Sequence, residues 1–390
     1  MGKQKVYFPN LNGIRFIAAF LVIIHHIEQF KSFRNIPNYW DAIPFIGIIG
    51  RLGVTLFFVL SGFLITYLLL SEERAFEAIS IKKFYVRRIL RIWPLYFLIV
   101  ILALFILPNV GIFTLPGYGK DFVYSDLGLK ILFYVVFLPN LVFAKYGIVP
   151  YASHTWSIGT EEQFYLVWPV IMKFFRKYRM AVMFTIIFGY LLVYGLLLSN
   201  ITNGLPHKEV ITKFWEHFNI DCMAIGGIYA ILLFRKDRLL KLLMNNYLFY
   251  CTLVIVLALI IKGQYFPQIP TAGFVLDIHN EIYAVLFGII ILNFAANDKI
   301  KISLENSLFD YLGNISYGLY MYHPIGIILA IYIAQTINLT TNWVLYPLSV
   351  GMTILLAGLS YKYFETYFLQ FKARFSNIIS GNESKKQDKD

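Results

Sequence analysis

The chain has 390 residues, of which 58% are hydrophobic and only 14% are charged. This composition excludes an ordinary soluble enzyme and predicts a polytopic membrane protein. The net charge of +12 does not require a nucleic-acid partner, because the basic residues cluster between apolar stretches, as they do in loops that face an anionic leaflet.

The first apolar stretch, residues 11–30, carries Arg15, His25 and His26. On an α-helix Arg15 and His26 lie about 16 Å apart along the axis and about 20° apart around it, whereas His25 is about 80° away on the other side. Ionisable groups inside a bilayer are costly and are kept where they line a protein interior or a wet cavity. Taken singly, an arginine that snorkels to the headgroups and a histidine packed against a neighbouring helix are the alternatives. The shared face of Arg15 and His26 favours a functional pair.

Ten apolar segments are long enough to span the membrane as helices. They are residues 11–30, 52–70, 90–108, 160–175, 180–199, 214–234, 246–262, 280–297, 308–335 and 343–368. The first is expected to be a retained helix, because charge interrupts its apolar run and no small-residue cleavage site follows it. Residues 127–144 are an eleventh candidate, but Pro139 and Asn140 interrupt them.

The distribution of charge decides whether residues 127–144 cross the membrane. If they do not cross, all of the lysine and arginine clusters fall on one side, which the positive-inside rule makes the cytoplasm. These clusters lie at 71–91, 173–179, 235–241 and 299–301 and in the C-terminal tail. We therefore predict an all-α bundle of ten spans with both termini cytoplasmic and with 127–144 on the outer face or re-entrant. Residues 1–375 form one transmembrane domain, and residues 376–390 form a polar, disordered cytoplasmic tail.

Two motifs precede and open the third span. Residues 57–65, FFVLSGFLI, place Ser61 and Gly62 in a bulky helix, where glycine permits close helix packing or, as the less favoured alternative, passage of a ligand. Arg87, Arg88 and Arg91 then supply three guanidinium groups within five residues. Guanidinium forks suit phosphate binding. An ordinary positive-inside cluster and a lipid-headgroup site are the alternatives.

Two further motifs carry polar groups near or inside later spans. In residues 153–169, SHTWSIGTEEQFYLVWP, capping of a helix start explains one carboxylate, but the whole cluster suits recognition of a sugar or hydroxyl. Residues 314–324, NISYGLYMYHP, contain His323 and several hydroxyls, each of which can form a bond within its own helix. No Walker motif, dinucleotide loop or metal-ligand spacing occurs, so neither ATP-driven transport nor a metal site is predicted.

This ordered set of motifs resembles the acyltransferase 3 family of polytopic membrane acyltransferases. The set begins with LNGIR and with His26, which follows it in the same helix. It continues in chain order with FFVLSGFLI, RRILRIWPLY, TWSIGTEEQFYLVWP, ISYGLYMYHP and Glu365 in the last span. Asn12 stands where the family commonly has aspartate, and Thr366 follows Glu365 where a residue and then proline are common. The chain resembles a stand-alone member, without the extracellular esterase-like domain of some relatives.

The resemblance implies transfer of an acyl group, usually acetyl, from cytoplasmic acyl-CoA to a hydroxyl of an exported or lipid-linked glycan in a bacterial inner membrane. Acyl-CoA is then a co-substrate, and no permanently bound cofactor is expected. A neutral imidazole can take the proton of a sugar hydroxyl as it attacks the thioester. The expected roles are catalysis by His26 with Glu162, acyl-CoA binding by Arg15, Arg87, Arg88 and Arg91, and acceptor binding by Ser61, Trp156, Ser157, Tyr165 and His323.

Two other classes of protein remain open at this point. A glycan or lipid transporter or flippase could use the same polar residues as a permeation path, and it would function without acyl-CoA. A structural partner in a glycan-assembly complex would depend on neither Arg15 nor His26. Membrane lipids are partners in every case, and the acceptor, the acyl chain and the oligomeric state are left open.

Overall fold

A computed structural model describes residues 4–40, 42–263, 269–271, 274–276, 278–376 and 378–380. Within these residues the chain forms seventeen α-helices and four three-residue strands. The first nine helices are α1 (Leu11–Phe33), α2 (Pro44–Phe76), α3 (Ile81–Ile101), α4 (Lys120–Tyr124), α5 (Leu127–Val135), α6 (Pro139–Tyr146), α7 (Trp156–Phe174), α8 (Arg179–Leu198) and α9 (Lys208–Phe218). The others are α10 (Ile220–Arg235), α11 (Leu240–Leu243), α12 (Asn246–Lys262), α13 (His279–Ala296), α14 (Ser307–Asn314), α15 (Ser316–Thr336), α16 (Asn342–Ser360) and α17 (Thr366–Lys372). The strands are β1 (Gln4–Val6), β2 (Ile269–Thr271), β3 (Phe274–Leu276) and β4 (Ile378–Ser380).

Long apolar helices dominate the described residues, which confirms an all-α membrane protein. Eight helical stretches there are long and apolar enough to cross a bilayer. They are Leu11–Phe33, Pro44–Phe76, Ile81–Asn109, Arg179–Leu198, Lys208–Arg235, His279–Ala296, Ser316–Thr336 and Asn342–Lys372. The two other predicted spans, 160–175 and 246–262, coincide with α7 and with the 17-residue α12. Each predicted span thus has a helix, and the number of crossings and the side of the termini stay predictions.

Residues 127–144 form a helical hairpin instead of one continuous helix. The helices α5 and α6 contain nine and eight residues, and Phe137 between them adopts a positive φ of 57°. At 1.5 Å per residue each helix is roughly 12 to 14 Å long, less than half of the hydrocarbon thickness. Tyr146 at the end of α6 donates a hydrogen bond of 3.2 Å to Asp126, just before α5. The two ends of the hairpin therefore lie together, as the re-entrant alternative requires.

Polar contacts anchor both ends of α1 to distant parts of the chain. Before the helix, the side chain of Asn10 donates to the carbonyl of Phe294 and accepts from the backbone N–H of Leu304, at 3.0 and 2.7 Å. Near its other end, the fully buried Lys31 and Glu28 form a salt bridge of 2.6 Å. Lys31 also donates to Asn342, and Tyr346 donates to Glu28, which ties the helix to α16. These contacts fix the position of α1 relative to its neighbours.

The helices α2 and α10 make the most extensive helix contact in the described structure. Two glycines permit this approach. A Cβ on Gly62 would overlap the carbonyl oxygen of Met223, and a Cβ on Gly226 would overlap that of Val59. Close packing therefore accounts for Gly62, as the favoured interpretation of its motif predicts.

The two ends of the described chain meet in a small parallel sheet. Strand β1 pairs with β4, with Val6 opposite Ser380. Nearby, Arg87 donates a hydrogen bond of 2.8 Å to the carbonyl of Phe375. The segment predicted to form a tail, 376–390, thus includes a paired strand at 378–380, while 377 and 381–390 lie outside the described residues.

The predicted topology can be checked with reporter fusions. Reporters fused after Arg235 and at the C-terminus are expected to read cytoplasmic, and one near Lys145 is expected to read external, because the basic clusters face the cytoplasm. Paired phosphatase and fluorescent-protein fusions in intact cells measure the side directly. A cytoplasmic reading near Lys145 would overturn the ten-span arrangement.

Candidate active site in two adjoining cavities

Two cavities lie between the helices, one beyond the other along α1. We call the first the basic cavity; its volume is about 320 Å³, and it is lined on α1 by Leu11, Asn12 and Arg15. We call the second the histidine cavity; its volume is about 550 Å³, and it is lined on α1 by residues from His25 to Phe33. The predicted pair of Arg15 and His26 is therefore divided between two adjoining cavities.

Four cationic side chains line the basic cavity: Arg15, Arg88, Arg91 and Lys372. Among the described residues neither Arg88 nor Arg91 forms a salt bridge, and the Nε of Arg88 is buried without a hydrogen-bond partner. The guanidinium group of Arg88 lies over the ring of Tyr165, at 5.5 Å from its centroid. This concentration of positive charge inside an apolar bundle suits a polyanionic ligand.

Asn12 orients Arg15 within the basic cavity. The Nη1 of Arg15 donates a hydrogen bond of 3.0 Å to Asn12, which in turn donates to Asp310 at 3.0 Å. The amide of Asn12 thus bonds both a cation and a carboxylate. Asp310, on α14, brings a negative charge to this network.

The predicted Arg87 lies apart from the basic cavity. Its guanidinium group forms a salt bridge of 3.3 Å with Glu72 and donates to the carbonyl of Phe375. It lines a separate small cavity, next to Arg88 and Lys372. Arg88 and Arg91 are thus placed together, and Arg87 stands beside them as part of the packing around the C-terminal segment.

The two adjacent glutamates of α7 occupy different environments. Glu161, which belongs to the 153–169 motif but is given no role of its own in the sequence prediction, lines the basic cavity and accepts hydrogen bonds from Ser61 and Tyr165, at 2.9 and 2.8 Å. The predicted Glu162 lines neither cavity, and its Oε2 accepts a hydrogen bond of 2.9 Å from the indole of Trp93. Consecutive helical positions point about 100° apart, so only one of the two can face the cavity.

The predicted acceptor-binding residues are distributed over both cavities. Ser61, Ser157 and Tyr165 line the basic cavity, and Trp156 lines the histidine cavity. His323 lines neither; it is fully buried, and its ring centroid lies 4.6 Å from that of His26. The structure therefore makes His323 a neighbour of His26 instead of a cavity residue.

Backbone carbonyls define the tautomer of the cavity histidines. The Nδ1 of His26 lies 2.9 Å from the carbonyl oxygen of Val22, and that of His25 lies 2.7 Å from the carbonyl oxygen of Ile46. Because a carbonyl oxygen can only accept, each Nδ1 must carry the proton, and each Nε2 keeps a free lone pair. His26 is thus in the form that can accept a proton.

Two further imidazoles lie close to His26: His323 packs against it, and His154 packs against His323 and also lines the histidine cavity. The ring of His154 lies 5.0 Å from that of His323, and the Nε2 atoms of both are buried without a hydrogen-bond partner among the described residues. Burial lowers the pKa of His154 to about 3, so this imidazole, which precedes α7, stays neutral at physiological pH. His154, like Glu161, belongs to the 153–169 motif but has no role of its own in the sequence prediction.

The two cavities adjoin at Val54 and Tyr320, which line both. The hydroxyl of Tyr320 lies 2.8 Å from the Oγ of Ser157 and donates a hydrogen bond of 2.7 Å to the carbonyl of His154. A polycationic chamber therefore meets a chamber with proton-accepting imidazoles inside a membrane-spanning bundle. This combination defines a polytopic membrane protein with an intramembrane site suited to group transfer from an anionic donor.

Comparison with known proteins identifies the family. The family defined by an acyltransferase domain matches residues 8–362, and the chain therefore belongs to the acyltransferase 3 family, as its motifs predict.

Two relatives illustrate the similarity. Peptidoglycan O-acetyltransferase OatA of Listeria monocytogenes is 25% identical over 402 residues, which cover 98% of this chain and 58% of that protein. O-acetyltransferase OatA of Staphylococcus aureus is 27% identical over 376 residues, with 92% of this chain and 57% of that protein covered. The chain thus spans less than two thirds of the length of these relatives. No solved structure shows a significant match to the chain.

Proposed function

We propose that the protein is a membrane O-acyltransferase that moves an acyl group, in the first instance acetyl, from acyl-CoA to a hydroxyl of a cell-envelope glycan. The observation that carries the proposal is the junction of the basic cavity with the histidine cavity. Acyl-CoA enters the basic cavity from the cytoplasm, and the acceptor enters the histidine cavity from the outer side of a bacterial inner membrane. The names of the two relatives support acetyl as the group and peptidoglycan as one class of acceptor.

In the proposed reaction the donor phosphates bind Arg88, Arg91 and Lys372. Acyl-CoA carries its thioester on a long flexible arm, which can extend past Arg15 toward His26, about 16 Å farther along α1. Because the protein binds both the thioester and the acceptor hydroxyl in fixed positions, the transfer becomes an effectively unimolecular reaction, which lowers its barrier.

His26 then acts as the general base. Its free Nε2 takes the proton from the attacking hydroxyl as the oxygen bonds to the thioester carbon. The tetrahedral intermediate collapses with cleavage of the carbon–sulfur bond, and the imidazolium returns its proton to the thiolate. The products are the ester and free CoA.

The charge and the shape of the cavities favour this function over transport. A transported glycan would have no need for a chamber with four cations and a single carboxylate. A transported glycan would also have to pass between the cavities at Val54 and Tyr320. In acyl transfer only the small acyl group has to reach this boundary.

Donor binding provides the test. Arg88→Gln and Arg91→Gln, made separately, are each expected to weaken acyl-CoA binding to the purified protein by about 10- to 100-fold, because each hydrogen bond to a charged group contributes about 1.5 to 3 kcal/mol. Titration calorimetry at several salt concentrations is the measurement, and wild-type affinity is expected to fall as salt rises.

Arg87→Gln is the matched control, because Arg87 belongs to the same cluster but is paired with Glu72. It is expected to bind acyl-CoA nearly as the wild type does. Equal losses in all three arginine variants would indicate a general surface charge effect, and binding that ignores salt and both cavity arginines would reject the basic cavity as the donor site.

A further inference from the structure

The boundary between the two cavities is narrow on α2 and α15, where one residue of each helix lines both cavities. On α2, Arg51 lines the histidine cavity, Phe57 lines the basic cavity, and Val54 between them lines both. On α15, Tyr317 lines the basic cavity, and Tyr320, one turn farther, lines both. The level of Val54 and Tyr320 is therefore where the basic cavity meets the histidine cavity.

The two boundary side chains are firmly held. Val54 and Tyr320 are only 6% and 4% exposed. The hydroxyl of Tyr320 is fixed by Ser157 and by the carbonyl of His154, and its ring packs edge-on against Phe57 at 6.0 Å. The space at this level is therefore set by side-chain volume.

We infer that Val54 and Tyr320 select the acyl group by its length, an inference that rests on the proposed acyl transfer. The thioester carbon has to lie at the boundary, where an oxygen from the histidine cavity can reach it. The carbon atoms beyond the carbonyl must then fit beside Val54 and Tyr320. One methylene more or less in such an apolar pocket changes the specificity by about 10- to 200-fold.

The test compares two donors in membranes of the native cells, with each variant placed at the chromosomal locus. Membranes are supplied with acetyl-CoA or propionyl-CoA, and the acids released from their esters by alkali are quantified. Val54→Ala is expected to raise the propionyl-to-acetyl ratio by about 10-fold or more, and Val54→Ile is expected to lower it. The second variant adds volume, so the pair also separates selection from a general loss of folding.

Val100→Ala is the matched control, since Val100 on α3 is also 6% exposed and lines neither cavity. It is expected to leave the ratio at the wild-type value. If both Val54 variants keep wild-type activity and the wild-type propionyl-to-acetyl ratio, Val54 does not select the acyl group. The proposed acyl transfer would still stand in that case. Absence of ester formation from either donor, relative to membranes that lack the protein, would overturn the proposed function and this inference with it.

Discussion

Replacement of His26 by alanine is expected to lower acyl transfer by about 100- to 10,000-fold, the usual cost of losing a general base. The reason is structural: the Nδ1 of His26 is held by Val22, so its Nε2 is the free acceptor at the cavity. Binding of acyl-CoA is expected to be retained, because the basic cavity lies at the other level of α1. Ester formation in membranes and titration of the purified variant measure the two properties separately.

His25→Ala is the matched control for this prediction. His25 lines the same cavity, with its Nδ1 held by Ile46, but it points about 100° away from His26. A milder loss of activity is expected. Near wild-type transfer by His26→Ala would refute the assignment of the base, and glycan export that depends on the protein without acyl-CoA turnover would support the transporter.

Helical geometry explains which features of the fold and of the candidate site can be predicted from the sequence. Every predicted span is largely helical, although 214–234 is divided between α9 and α10 and 308–335 between α14 and α15. Arg15 and His26 lie at two levels of α1, as their spacing indicates. The break in residues 127–144 is also foreseeable from Pro139. The bond between Tyr146 and Asp126, which makes the segment a hairpin, depends on a tertiary contact that no local pattern encodes.

The remaining features of the site depend on neighbours that are distant in sequence. Glu161 lines the cavity and accepts a hydrogen bond from Ser61 on α2, a contact that the sequence does not reveal, and the sequence prediction selects Glu162 instead. Arg87 and Arg91 are one helical turn apart, which suggests a shared face. Glu72 nevertheless draws Arg87 away, since an ion pair offsets much of the cost of burying its charge.

The contacts among His26, His154 and His323 likewise could not be predicted from the sequence, because they join residues that are distant along the chain. His154 and His323 are far apart in the sequence, yet their rings are 5.0 Å apart in the fold. Each looks unremarkable in its own motif, because a single histidine in an apolar segment is commonly satisfied by packing. Only the packing of α15 against the turn that precedes α7 brings the two rings together beside His26.

Replacement of Gly62 by residues with larger side chains is expected to destabilise the packing of α2 against α10, and a large side chain is expected to prevent assembly of the helix bundle. A Cβ at this position overlaps the Met223 carbonyl, which is backbone and cannot rotate away, so α2 and α10 must separate. Gly62→Ala is expected to lower the free energy of unfolding by about 1 to 3 kcal/mol, and Gly62→Leu is expected to yield no folded protein. Thermal unfolding in detergent and size-exclusion chromatography are the measurements.

Gly189→Ala is the matched control, because Gly189 lies within α8 and a Cβ there meets no atom within 4 Å. Since alanine favours a helix over glycine by about 1 kcal/mol, this variant is expected to be at least as stable as the wild type. Gly226→Ala should destabilise as Gly62→Ala does, through overlap with the Val59 carbonyl. Because both substitutions push apart the same helix pair, the double variant is expected to lose less stability than the two single losses added together. Simple additivity would mean that the two glycines act at independent contacts, and a neutral Gly62→Ala would contradict the close packing of α2 against α10.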